Sequence, residues 1–360
     1  MKRLRAACLL VWATCLLAGP ALAYGPSTLY VPSEGAPAGG CLYARAVQLR
    51  QNGPHNGKIY ATFEQYTHDT PVFPIYESTD DGEHWTRVGS VCDQENGWGM
   101  RFQPFLFELP RPIGDLPAGT LLCAGNSIPQ DGSKTKLDIY QSTDLGRTWC
   151  FVSSVASGGV AKPGGGTPVW EPFLLMPDGR LICYFSDERD PRHSQKIVHR
   201  TSTDGVTWGP VVDDIALPDT RKRPGMPVVT RMQDGRYLLI YEIVGAPRCA
   251  TYYQVSADPE RWDATSMGTH LGRGGTPYVV TLADGTLVAG CGGGRNLYTN
   301  ASNGEGPWAT VPSSLAGGYS RCLVPLRNGR LFLITAGHRG AKRKAVRYAD
   351  MEPPHVPSSP

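Results

Sequence analysis

Two glutamates have the type and placement to act as a pair. Glu171 opens an apolar run, Pro168-Val-Trp-Glu-Pro-Phe-Leu-Leu-Met176, and Glu242 closes another, Tyr237-Leu-Leu-Ile-Tyr-Glu242. Each belongs to a hairpin pattern, two apolar runs joined at Asp178-Gly179 or Asp234-Gly235. Strands of a hairpin run antiparallel, so the start of the first and the end of the second lie at one pole. Two carboxyl groups meeting there suit the hydrolysis of a glycosidic bond. One must protonate the leaving oxygen; the other must attack the anomeric carbon or activate water. The acid is the one whose pKa is raised, by burial or by its neighbour's charge, and the sequence does not say which of the two that is. Trp170 offers an apolar wall to Glu171, while arginines such as Arg321 or Arg223 would hold a partner ionised.

The hairpin recurs six times, within 46–63, 104–124, 172–185, 227–241, 277–290 and 323–335. Between copies lies a second repeat, an Asp-box turn. Ser78-Thr-Asp80-Asp-Gly82-Glu-His-Trp85 and Ser142-Thr-Asp144-Leu-Gly146-Arg-Thr-Trp149 are full copies. Ser202 to Trp208 is a shortened one, and Ser256 to Trp262 and Ser302 to Trp308 are degenerate. In such a turn the aspartate binds turn backbone, glycine takes positive φ and tryptophan packs beneath. These aspartates are therefore read as folding devices, not catalysts.

Glycine (43) and proline (31) are abundant and long amphipathic helix patterns are missing, which argues an all-β chain. Six hairpins, each extended by further strands, make a six-bladed β-propeller, and with its Asp-box turns the chain resembles the sialidase superfamily. The sixth blade stops early, at Ala345 to Tyr348, and Thr28-Leu-Tyr-Val31 can close the ring as its outer strand. Residues entering the innermost strands then converge on one mouth. Arg45, Gln103, Trp170, Arg273, Tyr319 and Arg321 are the substrate-binding candidates there. Asp187, which follows a second strand, is another. Glu64, Tyr66, Asn126 and His338 are weaker candidates, and Glu188 reads as a solvated loop charge.

The chain opens with Lys2, Arg3 and Arg5, an apolar run to Leu17, and Ala21-Leu-Ala23. This pattern is that of a secretory signal peptide spanning 1–23, too short in its apolar part to anchor in a bilayer. The propeller domain is assigned to 24–352 and a loose tail to 353–360. Losing the three basic residues takes the formal charge from +3 to neutrality, which argues against nucleic acid or an anionic membrane and for a neutral substrate. Eight cysteines remain, an even number that in a secreted chain suggests disulfides, with buried free thiols as the alternative. No Cys-x-x-Cys spacing points to zinc, and no metal or cofactor is required by the chemistry. Asn300-Ala-Ser302 is a glycosylation sequon.

Around Trp170-Glu171-Pro-Phe and Tyr241-Glu242 the chain resembles glycoside hydrolase family 93, the secreted exo-α-1,5-L-arabinanases. The likeness runs from about Leu42 to Tyr348. It implies a retaining enzyme with Glu171 and Glu242 as its catalytic carboxylates; a monomer without a cofactor is expected. It further implies release of arabinobiose from the non-reducing end of plant cell-wall arabinan. Tyr319 resembles the family's pocket tyrosine. Two rivals share the fold: a sialidase, which would need three arginines around a carboxylate, and a glycan-binding Asp-box propeller without activity.

Overall fold

The computed structural model describes residues 24–37, 40–247, 249–337 and 344–354. The segment read as a signal peptide, His338 and most of the tail lie outside them. Six four-stranded antiparallel sheets form a propeller, and no α-helix occurs among the described residues. Each sheet is a meander whose first strand lies innermost, because short turns leave each new strand nowhere to pair but beside the last. The innermost strands are Cys41–Gln48, Met100–Glu108, Val169–Leu175, Arg223–Arg231, Tyr278–Thr281 and Tyr319–Pro325.

Ring closure follows the sequence expectation. Ser27–Tyr30 pairs antiparallel with Val346–Met351, so the chain's first strand completes its last blade. The main-chain N–H of Tyr24 donates to Asp350 Oδ1 at 2.6 Å, and the Tyr24 hydroxyl reaches the Asp81 carbonyl in the turn of blade one. Closure in this manner supplies the sixth sheet with the outer strand that its own segment lacks.

Blades are held together by the outer turns. In blade two, Ser142 Oγ donates to Asp144 and accepts from the Gly146 N–H, Asp144 Oδ1 accepts the Thr148 N–H, and the Trp149 indole donates to the Gly146 carbonyl. Blade one repeats this set through Ser78, Asp80, Gly82 and Trp85. Each tryptophan is then free to pack sideways. Trp85 lies against Phe332 and Tyr348 of blade six, the Trp208 indole donates to Ser153 of blade two, and Trp308 meets Tyr253 of blade four. Between blades two and three the rings of Phe105 and Phe173 are 4.6 Å apart.

One expectation is corrected. All eight cysteines are free thiols, not disulfides. Cys41, Cys123, Cys183 and Cys322 are buried in strands of four different blades, packed as small hydrophobes. The sequon asparagine is committed elsewhere. Asn300 stands in the fifth turn where the other copies have serine; its Oδ1 accepts the Ser302 and Gly304 N–H groups and its Nδ2 donates to the Glu305 carbonyl. Attaching a glycan to that buried nitrogen would dismantle the turn.

Candidate active site

One backbone feature repeats at the mouth of every blade. Tyr43, Gln103, Glu171, Met226, Thr276 and Ser320 all have left-handed φ, between 53° and 62°. Five of them stand second to fourth in their innermost strands, and Thr276 stands two residues before the fifth. Left-handed non-glycine residues cost of order 1–3 kcal/mol each and persist only where their surroundings enforce them. Here the enforcing feature is a bulge: pairing with the second strand shifts register between Trp170 and Phe173, and at the matching points of blades one, two, four and six. A bulge re-aims the side chain and the N–H at its centre.

The re-aimed N–H groups bind side chains of the preceding blade. Gln103 N–H donates to Glu64 Oε1 (2.8 Å), Glu171 N–H to Gln103 Oε1 (3.2 Å), Met226 N–H to Glu171 Oε2 (2.6 Å) and Thr276 N–H to Glu242 Oε2 (2.7 Å). Four consecutive blade junctions are thus stitched at the mouth, and both candidate carboxylates are stitches. Glycine makes room for them. A Cβ on Gly275 would lie 2.1 Å from Glu242 Oε2, and one on Gly225 would lie 2.4 Å from Gln195 Nε2 and 3.2 Å from Glu171 Oε2.

These residues enclose a cavity of about 540 Å³. Glu171 and Glu242 both line it, with Trp170, Gln103 and Tyr319. An aromatic wall runs from Tyr66 through Phe102 to Trp170, with ring centroids 5.9 and 6.3 Å apart. Glu64 lines the cavity as a third carboxylate and accepts the Tyr66 hydroxyl at 2.8 Å. Glu64 faces Leu42 and Glu242 faces Gly225 across their hairpins, so the two occupy equivalent positions in blades one and four.

Burial and the nearby charge of Glu242 push the Glu171 carboxyl from its ordinary 4.5 up to about 7. Hydrogen bonds from Ser186 Oγ and the Met226 N–H, and the Arg223 charge, oppose that rise without cancelling it. Both donors use Oε2, so in the acid form the proton belongs on Oε1. Glu171 therefore keeps its proton to a higher pH than an ordinary carboxyl.

Four expected ligands lie outside the cavity lining. The Arg45 guanidinium donates to the Ala44 and Ser320 carbonyls and lies 4.0 Å over the Tyr43 ring. Arg321, fully buried, donates to Ser313 Oγ and to the Leu315 and Asn296 carbonyls. Asp187 holds Arg189 at 2.7 Å. Arg273 is exposed at the end of an outer strand, Thr269–Arg273. Alternation explains the two buried arginines: one residue's step along a strand reverses the face to which a side chain points. Asn126 sits just beneath the mouth, donating to the Val169 carbonyl.

Phe102 and Thr276, which the sequence places at the entry of inner strands without a role, and Gln195 and Cys249, which it passes over, also line the cavity. Cys249 Sγ lies 3.8 Å from Glu242 Oε2. None of the four carries a sequence signal, except that Thr276 follows a Gly-Gly pair as Met226 follows Pro-Gly. Glu188, read as a solvated charge, is buried and accepts hydrogen bonds from Trp170 Nε1, Arg223 Nη2 and the Gly164 N–H.

No family model and no curated protein matches the chain. Solved structures do. The α-L-arabinanase of Penicillium chrysogenum, solved with arabinobiose, aligns at a TM-score of 0.87 and 37% identity, covering 92% of this chain and 99% of that one. The glycoside hydrolase family 93 α-L-arabinofuranosidase of Fusarium graminearum, also with arabinobiose, aligns at 0.86 and 35%, covering 92% and 98%. The NanB sialidase of Streptococcus pneumoniae shares the fold alone, at 0.59 and 12% identity over 94% of this chain and 71% of its own.

Proposed function

The chain belongs to glycoside hydrolase family 93, and from that premise we propose a secreted, exo-acting enzyme that releases arabinobiose from α-1,5-linked L-arabinan with retention, using Glu171 as acid/base and Glu242 as nucleophile. One observation carries this reading: two carboxylates from adjacent blades line a single sugar-sized cavity, and one is pushed up to about 7 by burial and by the other's charge.

The chemistry proceeds in two steps. Glu242 attacks the anomeric carbon while Glu171 Oε1 gives its proton to the departing glycosidic oxygen, so the bond breaks to a covalent glycosyl ester and a shortened chain. Glu171, now ionised, takes a proton from water; that water's oxygen attacks the same carbon and frees Glu242. The Thr276 N–H on Glu242 Oε2 orients the nucleophile, and the Met226 N–H and Ser186 hydroxyl orient the acid. The Tyr66–Phe102–Trp170 wall offers ring faces to the sugars. A single arginine, Arg223, lines the cavity among the described residues, which disfavours a sialidase's three-arginine clamp.

Incubation with debranched arabinan, followed by chromatography and proton NMR of the first product, tests the reading. The expected product is a disaccharide with retained anomeric configuration. Monosaccharide or a mixture of long oligomers would reject the exo, disaccharide-releasing mode, and an inverted anomer would reject the covalent step. Binding without any release would leave a lectin-like propeller.

A further inference from the structure

Glu188 is a buried carboxylate with no part in the two chemical steps, yet it touches three separate pieces of the cavity's surround. Its Oε1 accepts the Trp170 indole N–H at 3.0 Å and an Arg223 N–H at 2.5 Å; its Oε2 accepts the Gly164 N–H at 2.7 Å. Trp170 and Arg223 line the cavity. Gly164 belongs to the glycine-rich connection 159–167 between blades two and three, whose Ala161 and Pro163 also line it. That loop is closed at its base by Gly159 N–H to the Thr167 carbonyl and fastened near its tip by Ala161 N–H to the Gly132 carbonyl. With four glycines among nine residues the loop has little stiffness of its own, so its position over the mouth depends on such fastenings.

We propose that Glu188 is a positioning residue for substrate binding: it latches the 159–167 loop onto the cavity rim and simultaneously fixes the tryptophan and arginine of the cavity wall. The inference rests on the reading of this cavity as the sugar site. A neutral amide cannot replace the carboxylate. Its one acceptor oxygen serves either the Trp170–Arg223 side or the Gly164 N–H, and its NH₂ then meets a donor on the other side. Loss of the latch lets the rim open and so weakens sugar binding, while the carboxylates that break the bond keep their own stitches from Met226 and Thr276.

Glu188→Gln is the test, read by hydrogen exchange of the 159–167 amides, by calorimetry with arabinobiose and by kinetics on debranched arabinan. Loop exchange should accelerate about tenfold, KM and the arabinobiose Kd should rise about tenfold, and kcat should stay within about threefold. Unchanged loop exchange, or a fall in kcat at constant KM, would overturn the proposal. Should Glu188→Gln not fold, Glu188→Asp, which keeps both oxygens and the charge but reaches less far, serves the same three measurements. If the unaltered protein binds no arabinobiose, the sugar-site reading fails; the exchange measurement still decides the latch, since it needs no ligand.

Discussion

Acidic side chains at strand ends occur at both radii of this propeller, and they behave oppositely. In the outer turns, Asp80, Asp144 and Asp204 are held below the usual carboxylate range by donated hydrogen bonds from turn backbone and serine, against the opposing effect of burial where it is present. At the inner mouth, Glu171 accepts comparable bonds from Met226 and Ser186 yet is raised to about 7. The difference lies in surroundings: an enclosed cavity and a second carboxylate outweigh the donors, whereas the outer turns face water. The same residue chemistry thus makes a structural clasp in one place and a titrating acid in the other.

The most severe way to break this contrast is to neutralise the mouth. Glu171→Gln and Glu242→Gln should each lower kcat by about a thousandfold or more while circular dichroism stays native. A variant with near-native turnover would remove that glutamate from the mechanism.

Titration sharpens the contrast. In the proposed mechanism the acid form of Glu171 protonates the leaving group, so kcat/KM should decline on the alkaline side of about pH 7. Glu242→Gln removes one raising cause, so carbon NMR should find the Glu171 midpoint lower in that variant; an unmoved midpoint would leave burial as the whole cause. Stability has its own sign. A carboxyl raised on folding favours the folded state below its ordinary value, and that contribution is lost as pH rises through about 7. Glu171→Gln, which cannot ionise, should therefore melt above the unaltered protein at pH 8, by about 2–4 °C, and show a smaller gain at pH 5.

Smaller effects separate orientation from clasping. Gln103→Leu removes the acceptor for the Glu171 N–H and should reduce kcat by about tenfold, mainly by loosening the bulge that aims the acid. Asp144→Ala, at the outer radius, should cost about 1 kcal/mol in urea unfolding and leave kcat and KM unchanged. A loss of activity there, without a loss of stability, would erase the division between the two radii.

Much of this was legible along the chain. The Asp-Gly hairpins and tryptophan-bearing turns recur because each blade solves the same local problem of reversing a strand and covering its edge. Six repeats and a missing outer strand were enough to specify ring closure through Thr28 to Val31. Glu171 and Glu242 stood out because a carboxylate is unexpected where an apolar strand begins or ends.

Which of the residues near the mouth face the cavity was decided elsewhere. Arg45 and Arg321 enter inner strands as plausibly as Trp170 does, yet the bulge places Glu171 itself at the left-handed position and turns those arginines onto backbone carbonyls. A bulge depends on pairing between strands, so no single run of residues announces it. Glu188 was misjudged for a related reason: its partners Gly164, Trp170 and Arg223 come from three segments, and burial is a property of their assembly. The sequence determined the repeats, the strand ends and the two acids, because these rest on local patterning. Tertiary structure alone decided which side chains share the cavity and that Glu171 is raised, because solvent exclusion and charge proximity exist only once the blades have closed on one another.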